Sequence, residues 1–563
     1  MPSRNHEATS ADSVSLRSAI PHAATGAFVI ALAATTSCSS PVGEDMSAPP
    51  STGKVVQALT DADADGMDDA WEVQHFGDLS QDAGDDFDGD GMTNGEEYLH
   101  SFDPTVADGF EDADGDRYPN VFEIRNGSDP HNATDLPTPT YVVDGNGGGT
   151  HLTISDAVNE ADILNGDYQI IGLAPGVYTG SANVVGVALW SDKPKLLVIG
   201  LDGAANTIID GSGTEYGWNI YNSSVIASLT FRRTALALNV IATGAEVRLV
   251  DLLVRDNSNP SYTSGLYVSD VANIHIVGST FLNNRGYAID AEQIYIGSGT
   301  ATIENTVVWG ATAGPMLGVG LWGTSLTVNH SLVKGQTLSG TGNLAGTTNP
   351  RLRSDGRLRS DSPLRGAGGS VSQSRVDIDG ELRPTSMPDI GVDQFNDVDS
   401  DGLPDAWEVA QYGNISSVSG ALDTDNDGLS NAGEHDWESD PLVADTDGDG
   451  IPDGIEVAHG LNPSVVDSDD FAGDLNGDGA LDSLGHQLGH SFGELDTDGD
   501  SVSNADEALM CTDVFRTDTD GDGAADNVDP FPLDPSISAL PSDPQDVTAP
   551  IITLTAPWYA VEQ

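Results

Sequence analysis

The sequence predicts a mainly β chain in which a solenoid of short parallel strands is flanked by extended acidic loop repeats. Two observations predict it. Between residues 225 and 335 one alternating phrase returns: SLTF ending at Phe231, DLLV at Val254, GSTF at Phe281, NTVV at Val308 and HSLV at Val333. The gaps are 23, 27, 27 and 25 residues, and short β-branched runs such as Ile274, Ile276 and Val277 precede the phrases. Strand-type alternation at that period marks coils that cannot bury their apolar faces singly and so stack around one elongated core. The other observation is a series of Asp clusters, at a fixed internal register, on either side of this region.

Composition narrows the function. The 563 residues include 89 Asp and Glu against 21 Lys and Arg, a formal charge of -68. Phosphate contacts need a basic surface, so nucleic acid is excluded as a partner. The Asp residues stand in spaced, Gly-punctuated clusters and not in solid blocks, which points to metal ligands instead of a disordered tail. With only Cys38 and Cys511, no disulfide framework holds the chain together.

Residues 1–38 read as an export signal. Arg17 precedes an apolar stretch from Ala23 to Ala34, too short for a membrane span and suited to a signal core. The run Thr35-Thr36-Ser37-Cys38 resembles a bacterial lipoprotein cleavage site, which implies lipidation of Cys38. It lacks the usual Leu three residues before the Cys, and ordinary secretion remains the alternative. Either route predicts an extracellular or cell-surface protein. Residues 39–60 are rich in Ser, Pro and Gly and read as a flexible tether.

The first acidic array occupies residues 61–139. DADADGMDDAWE places Asp61, Asp63 and Asp65 at loop positions one, three and five, Gly66 at six, Asp69 at nine and Glu72 at twelve. That is the oxygen-ligand spacing of a twelve-residue calcium loop, in which close carboxylates surround a hard cation and the final Glu binds bidentately. Asp86, Asp88, Asp90, Asn94 and Glu97 repeat it. Asp112, Asp114, Asp116, Asn120 and Glu123 form a third copy, with Arg117 in place of the glycine.

The array returns in residues 396–536. DAWEVQHFG from Asp69 matches DAWEVAQYG from Asp405, and loops starting at Asp61, Asp86 and Asp112 recur at offsets of 336, 337 and 333 residues. The copies are Asp397, Asp399, Asp401, Asp405 and Glu408; Asp423, Asp425, Asp427, Asn431 and Glu434; and Asp445, Asp447, Asp449, Asp453 and Glu456. Three further loops extend the series: Asp474, Asn476, Asp478 and Asp482, with Gly485 at position twelve; Asp496, Asp498, Asp500, Asn504 and Glu507, with Ser501 replacing glycine; and Asp518, Asp520, Asp522, Asp526 and Asp529.

These nine loops, their Asp-Pro or Asn-Pro spacers and the closing DTDGDGAADNVDPFPLDP resemble bacterial thrombospondin type 3 repeats. The resemblance covers about residues 61–131 and 397–535 and implies rod-like modules stiffened by Ca2+. Crowded carboxylates repel one another without a cation, so folding and calcium binding are expected to be coupled.

The solenoid spans residues 140–395. YVVDGNGGGTHLTISDAVNEA from Tyr141 predicts a strand, a Gly-rich turn and a short helix through Ile154, Ala157 and Val158 that caps the first coil. IIGLAPGVYTG from Ile170 and KLLVIGLDGAANTIIDGSG from Lys195 add strands bounded by Gly and Pro turns. Asn257, Asn283 and Asn284 follow the strand phrases, where stacked turns would pair side-chain amides. These stretches, with SPLRGAG, DIDGELRP and DIGVDQF, resemble right-handed parallel β-helix proteins of the pectate-lyase-like superfamily. That architecture hosts lyases, hydrolases, adhesins and inert stalks, so it speaks to fold more than to reaction.

An enzyme reading needs a base beside cation-binding acids. The family's lyases use an Arg base, and Arg232 and Arg255 follow equivalent phrases on neighbouring coils, with Asp251 and Asp256 close by. Arg233, Arg285 and Lys334 would add a basic stripe. No lyase signature or hydrolase Asp trio accompanies them, and charges of this kind commonly coat a solvent face. His486 and His490 lack the Glu of a zinc-protease helix. Residues 537–563 read as a linker and the first strand of an immunoglobulin-like domain. The expectation is an exported calcium-binding surface protein whose β-helix binds extracellular polysaccharide or a cell-surface protein, with a polysaccharide lyase acting on acidic glycans as the alternative.

Overall fold

The computed structural model describes residues 61–466 and 496–538, apart from 163–166, 214–215, 242, 260–262, 270–271, 286–292, 311–315, 321–323, 371–374, 417, 449–451, 460, 497, 504–505, 508–509, 511 and 514–515. The leader, tether and final strand, Cys38, Cys511, His486, His490, the loop from Asp474 to Asp482, Asp449 and Asn504 therefore lie outside the described residues.

Residues 141–333 wind through three parallel sheets. A typical coil runs from Ser224–Ala227 in the eight-stranded sheet to Thr230–Arg232 in the seven-stranded sheet and Leu236–Ile241 in the six-stranded sheet, then back to Glu246–Val250 one coil on. The repeated phrase of the sequence is the seven-stranded sheet. Phe231, Val254, Phe281, Val308 and Val333 pair in register and are fully buried, so one phrase ending per coil builds one column of the core. The first residue of each phrase makes the corner. Ser228, Asp251, Gly278, Asn305 and His330 all have φ between 43 and 59°, the left-handed turn that swings the chain from one sheet to the next.

The helices with described bounds are α1 (Asp69–His75), α2 (Asn94–His100), α3 (Asn120–Asn126), α4 (Ile154–Glu160), α5 (Gly203–Asn206), α6 (Asp405–Tyr412), α7 (Asn431–Trp437) and α8 (Asp453–His459). α4 closes the first coil as expected, burying Ile154, Ala157 and Val158 in the solenoid core. After Val333 the chain carries isolated bridges, Leu352 with Leu358 and Val376 with Leu382. Leu358, Leu364, Ile390 and Phe395 seal the last coils against Val307 and Leu332.

Both acidic arrays also touch the part of the chain they flank. In the N-terminal one, Met92, Tyr118, Val121 and Phe122 pack on the outer face of the eight-stranded sheet, against Ile170, Leu197, Ile199, Val225 and Val250. Phe122 meets Tyr168 edge to face at 5.2 Å, and the Arg248 guanidinium lies 4.4 Å from the Phe110 ring. This cover is why Tyr168–Leu173 is buried on both faces. In the C-terminal array, Asp436 of α7 and its C-cap Glu438 are tied to the segment after the last coil, accepting from the N–H and hydroxyl groups of Ser360 and Ser354 at 2.6–2.8 Å.

Candidate metal sites

Each described loop wraps its backbone around the first Asp. Asp86 accepts from the N–H groups of Gly89, Asp90 and Gly91 at 2.8–3.1 Å, and Asp112 accepts from Gly115, Asp116 and Arg117 at 2.7–3.2 Å. Asp61, Asp397, Asp423, Asp496 and Asp518 repeat the motif. This wrap requires a left-handed residue at position six. Gly66, Gly91, Gly402, Gly428 and Gly523 supply it without a Cβ, while Arg117 (φ 82°) and Ser501 (φ 80°) are held in the same conformation. Both non-glycine loops thus keep the geometry of the others.

Position nine closes the loop. Oδ1 of Asn94 accepts from Phe87 N–H at 3.2 Å while Nδ2 donates to the Asp82 carbonyl at 3.0 Å, and Asn120 does the same with Ala113 and Asp108. Asp69, Asp405, Asp453 and Asp526 accept the corresponding N–H of Ala62, Val398, Thr446 and Thr519. Position five links repeats. Asp65, Asp427 and Asp500 each accept one N–H inside their own loop and another from the following segment, at Ala83, Gly454 and Asn527. At these three points a loop is anchored on the segment that follows it.

Among the described residues, most of the carboxylate oxygens left without a donor stand at positions three and twelve. The short helices after each loop set Glu72, Glu97, Glu123, Glu408, Glu434, Glu456 and Glu507 at full burial. Both oxygens of Glu72, Glu97, Glu408, Glu434 and Glu507 have no hydrogen-bond partner, and neither do Asp88 Oδ2, Asp114 Oδ2, Asp498 Oδ2 and Asp520 Oδ2. Burial, reinforced by neighbouring carboxylates, pushes Glu97, Glu123, Glu434 and Glu507 up to about 9 and Glu72 and Glu408 up to about 7. A buried carboxylate without a donor or counter-charge is costly. Oxygen atoms from Asp61, Asp63 and Asp69, from Asp63, Asp65 and Glu72, from Asp86, Asp88 and Asp90, and from Asp112, Asp114 and Asp116 converge within 4.8 Å in each group. All-oxygen donor sets of this kind suit a hard cation.

Sequence reasoning missed Asp108. Its carboxylate converges with Asp90 and Glu97 within 4.8 Å, and burial raises it to about 7. Asp108 stands twelve residues before Asn120, as Asp82 does before Asn94, and that repeated spacing was the available signal.

The Arg and Asp residues singled out on the coils are neighbours. Arg232 and Arg255 pair in register on adjacent strands, and Asp210 pairs with Arg232 one coil earlier. Each guanidinium is already bound. Arg232 Nε reaches buried Asp210 at 2.8 Å, with Arg233 on the same carboxylate, and Arg255 Nη1 reaches Asp256 at 2.8 Å. Burial alone would raise Asp210, but the hydrogen bonds of Arg233 and Arg232 hold it below the usual carboxylate range. Asp251 and Asp256 are corner residues with φ of 52° and 55°. Asp251 is buried 4.0 Å from Arg383, whereas Asp256 faces solvent. Of the other basic residues named on the coils, Lys334 lies over the Trp309 ring at 5.0 Å and Arg285 is exposed.

Fold and loops together define a parallel β-helix carrying arrays of buried-carboxylate loops. Residues 86–100, 423–444 and 445–464 match the family model of the bacterial TSP3 repeat, so the chain carries bacterial TSP3 repeats beside its β-helix. No curated protein matches the chain. Among solved structures, a pectin methylesterase from carrot is similar at 16% identity and a TM-score of 0.24, over 38% of this chain and 79% of that one. No described helix is long and apolar enough to cross a membrane.

Proposed function

We propose that this is an exported calcium-binding surface protein whose β-helix serves as a binding or structural module towards extracellular glycans. One observation carries the calcium reading: in loop after loop the twelfth-position Glu is fully buried with both oxygens unpartnered. A cation with six to eight oxygen ligands neutralises such a cluster, and Ca2+ tolerates the irregular geometry that carboxylates and backbone carbonyls provide. Binding then contributes to folding, because the cation discharges the repulsion among the crowded carboxylates. Calorimetric titration of the chelated protein is expected to register several calcium ions per chain together with a gain in protease resistance. Absence of calcium binding at millimolar concentration would overturn it.

The glycan reading is supported by the six-stranded sheet. Its described strands contain no Asp, Glu, Lys or Arg in a chain of charge -68, and its outward rows bear stacked Tyr267 and Tyr295 at 5.4 Å and the Asn239–Asn219 amide pair at 2.8 Å. Uncharged aromatic and amide groups along a continuous face suit a long hydroxyl-rich chain. Co-sedimentation with insoluble polysaccharides, lost in a Tyr267→Ala/Tyr295→Ala double variant, tests it. The lyase alternative has one observation in its favour, the in-register pair Arg232 and Arg255. Release of ultraviolet-absorbing unsaturated uronates, abolished by Arg232→Ala or Arg255→Ala, would establish it over the binding module. Fractionation of a bacterial host with and without Cys38→Ala tests export and the lipid anchor.

A further inference from the structure

A cavity of about 240 Å³ lies where the first loop of the C-terminal array meets the hairpins that follow the last coil. One wall is α6, contributing Trp407 between Pro404 and Ala410, with the Phe395 and His435 rings beside it. Trp407 meets His435 edge to face at 5.4 Å. The lining also holds a chain of alternating charge. Arg353 Nη2 lies 3.4 Å from Asp355, Arg357 Nη1 donates to Asp355 at 2.9 Å, and Arg357 Nε donates to Asp379 at 2.9 Å. Glu381 spends one oxygen on Asn396 Nδ2 at 2.8 Å, leaving the other for a ligand.

Two guanidiniums balance Asp355 and Asp379. Burial also holds Asp393 well above the usual carboxylate range. The cavity is thus close to electroneutral, with Glu381 adding an acceptor. A cavity lined by an indole and by a dense row of charge-assisted donors and acceptors offers both contacts that a pyranose ring makes: C–H groups against the indole, hydroxyls against the charges. Pockets for drug-sized ligands run to about 300–1,000 Å³, so this one takes a single ring and not a chain segment. An anionic sugar would meet Glu381 and the field of a chain at -68.

We infer that this cavity binds one neutral hexose unit, with Trp407 as the stacking platform and Arg353 and Glu381 as hydroxyl partners. The site is separate from the six-stranded face and goes beyond the glycan module. It also joins sugar to metal, since the α6 wall begins with Asp405 and Glu408 of the loop starting at Asp397.

The test is titration of the full chain in millimolar calcium with the methyl glycosides of galactose, glucose and mannose and with galacturonate, followed by Trp fluorescence and calorimetry. Saturable binding of at least one neutral hexoside, tighter than galacturonate and weakened at least tenfold in both Trp407→Leu and Glu381→Gln, is expected. Far-UV dichroism identical to the parent confirms that each variant is folded, and Trp190→Leu serves as the exposed-tryptophan control. Absence of hexoside binding, preference for galacturonate, or affinity unchanged in Glu381→Gln overturns the inference. Polysaccharide co-sedimentation that survives Trp407→Leu but is lost in the Tyr267→Ala/Tyr295→Ala variant leaves the coil-face reading standing alone, so the two sites fail separately.

Discussion

The side-chain amide of Asn257 donates to Oδ1 of Asn284 at 2.7 Å, one coil further along the solenoid. Asn284 passes the contact on to Gln293 Oε1 at 2.8 Å, while Oδ1 of Asn257 receives both the N–H and the hydroxyl of Thr234 at 2.8 and 2.7 Å. All four residues are buried. The ladder expected from stacked turns therefore runs through Asn257 and Asn284. Asn283 instead takes a left-handed corner, with φ of 55°.

Asn257→Ala strands the Thr234 donors and the Phe231 carbonyl inside the core. Each buried unsatisfied group costs about 1–3 kcal/mol, so a loss of roughly 3 kcal/mol is expected on denaturant unfolding. A change within about 0.5 kcal/mol would mean that the ladder is dispensable.

Glu97→Gln and Glu96→Gln separate metal ligation from helix capping. Glu97 is buried and unpartnered, whereas Glu96 forms a capping box with Thr93 and pairs with Arg125 at 3.0 Å. The first substitution is expected to remove at least one calcium from the calorimetric count. The second should leave the count intact and cost about 1 kcal/mol of stability. Equal counts in the two variants would dismiss Glu97 as a ligand.

Ser501→Gly should tighten its loop. Ser501 holds a φ of 80° that costs a residue with a Cβ about 1–2 kcal/mol and costs glycine nothing. Protection of residues 496–507 against hydrogen exchange at limiting calcium should rise accordingly; unchanged or reduced protection would contradict the strain.

Acid should stabilise the chelated protein and oppose calcium. Glu97, Glu123, Glu434 and Glu507 sit near 9 in the folded protein against an ordinary 4.5, so their contribution is fully present below about pH 4.5 and is lost as pH rises towards 9. In chelator, melting temperature is therefore expected to fall from pH 5 to pH 9, whereas the rise on adding calcium should be largest at pH 9, where protons no longer compete. A calcium increment that grows towards pH 5 would refute the assignment of these carboxylates.

Phe122→Ala probes the docking of the N-terminal repeats on the sheet. Deleting a fully buried Phe costs about 3–5 kcal/mol, which here falls on the contact between α3 and Tyr168. Limited proteolysis is expected to cleave within residues 61–139 while the coils stay intact. Cleavage no faster than in the parent would mean that the repeats are held chiefly by other contacts.

The sequence by itself determined the periodic parts. A phrase returning every 23 to 27 residues fixes the column Phe231, Val254, Phe281, Val308 and Val333, because identical coils must present equivalent residues at equivalent heights. Carboxylates spaced two apart within twelve residues likewise predict an oxygen-ligand loop, since the donors lie within one short segment. Only the tertiary structure decided what depends on contacts between distant segments. The face that Met92 and Phe122 bury, the entry of Asp108 into the Asp90 and Glu97 cluster, and the cavity between Arg353 and Trp407 each join residues from different segments. Even the apolar runs at Ile170 and Leu196, which signal strands covered on both sides, do not name their cover. Periodicity records which face of an element is buried, and the partner that buries it is set by the packing of the whole chain.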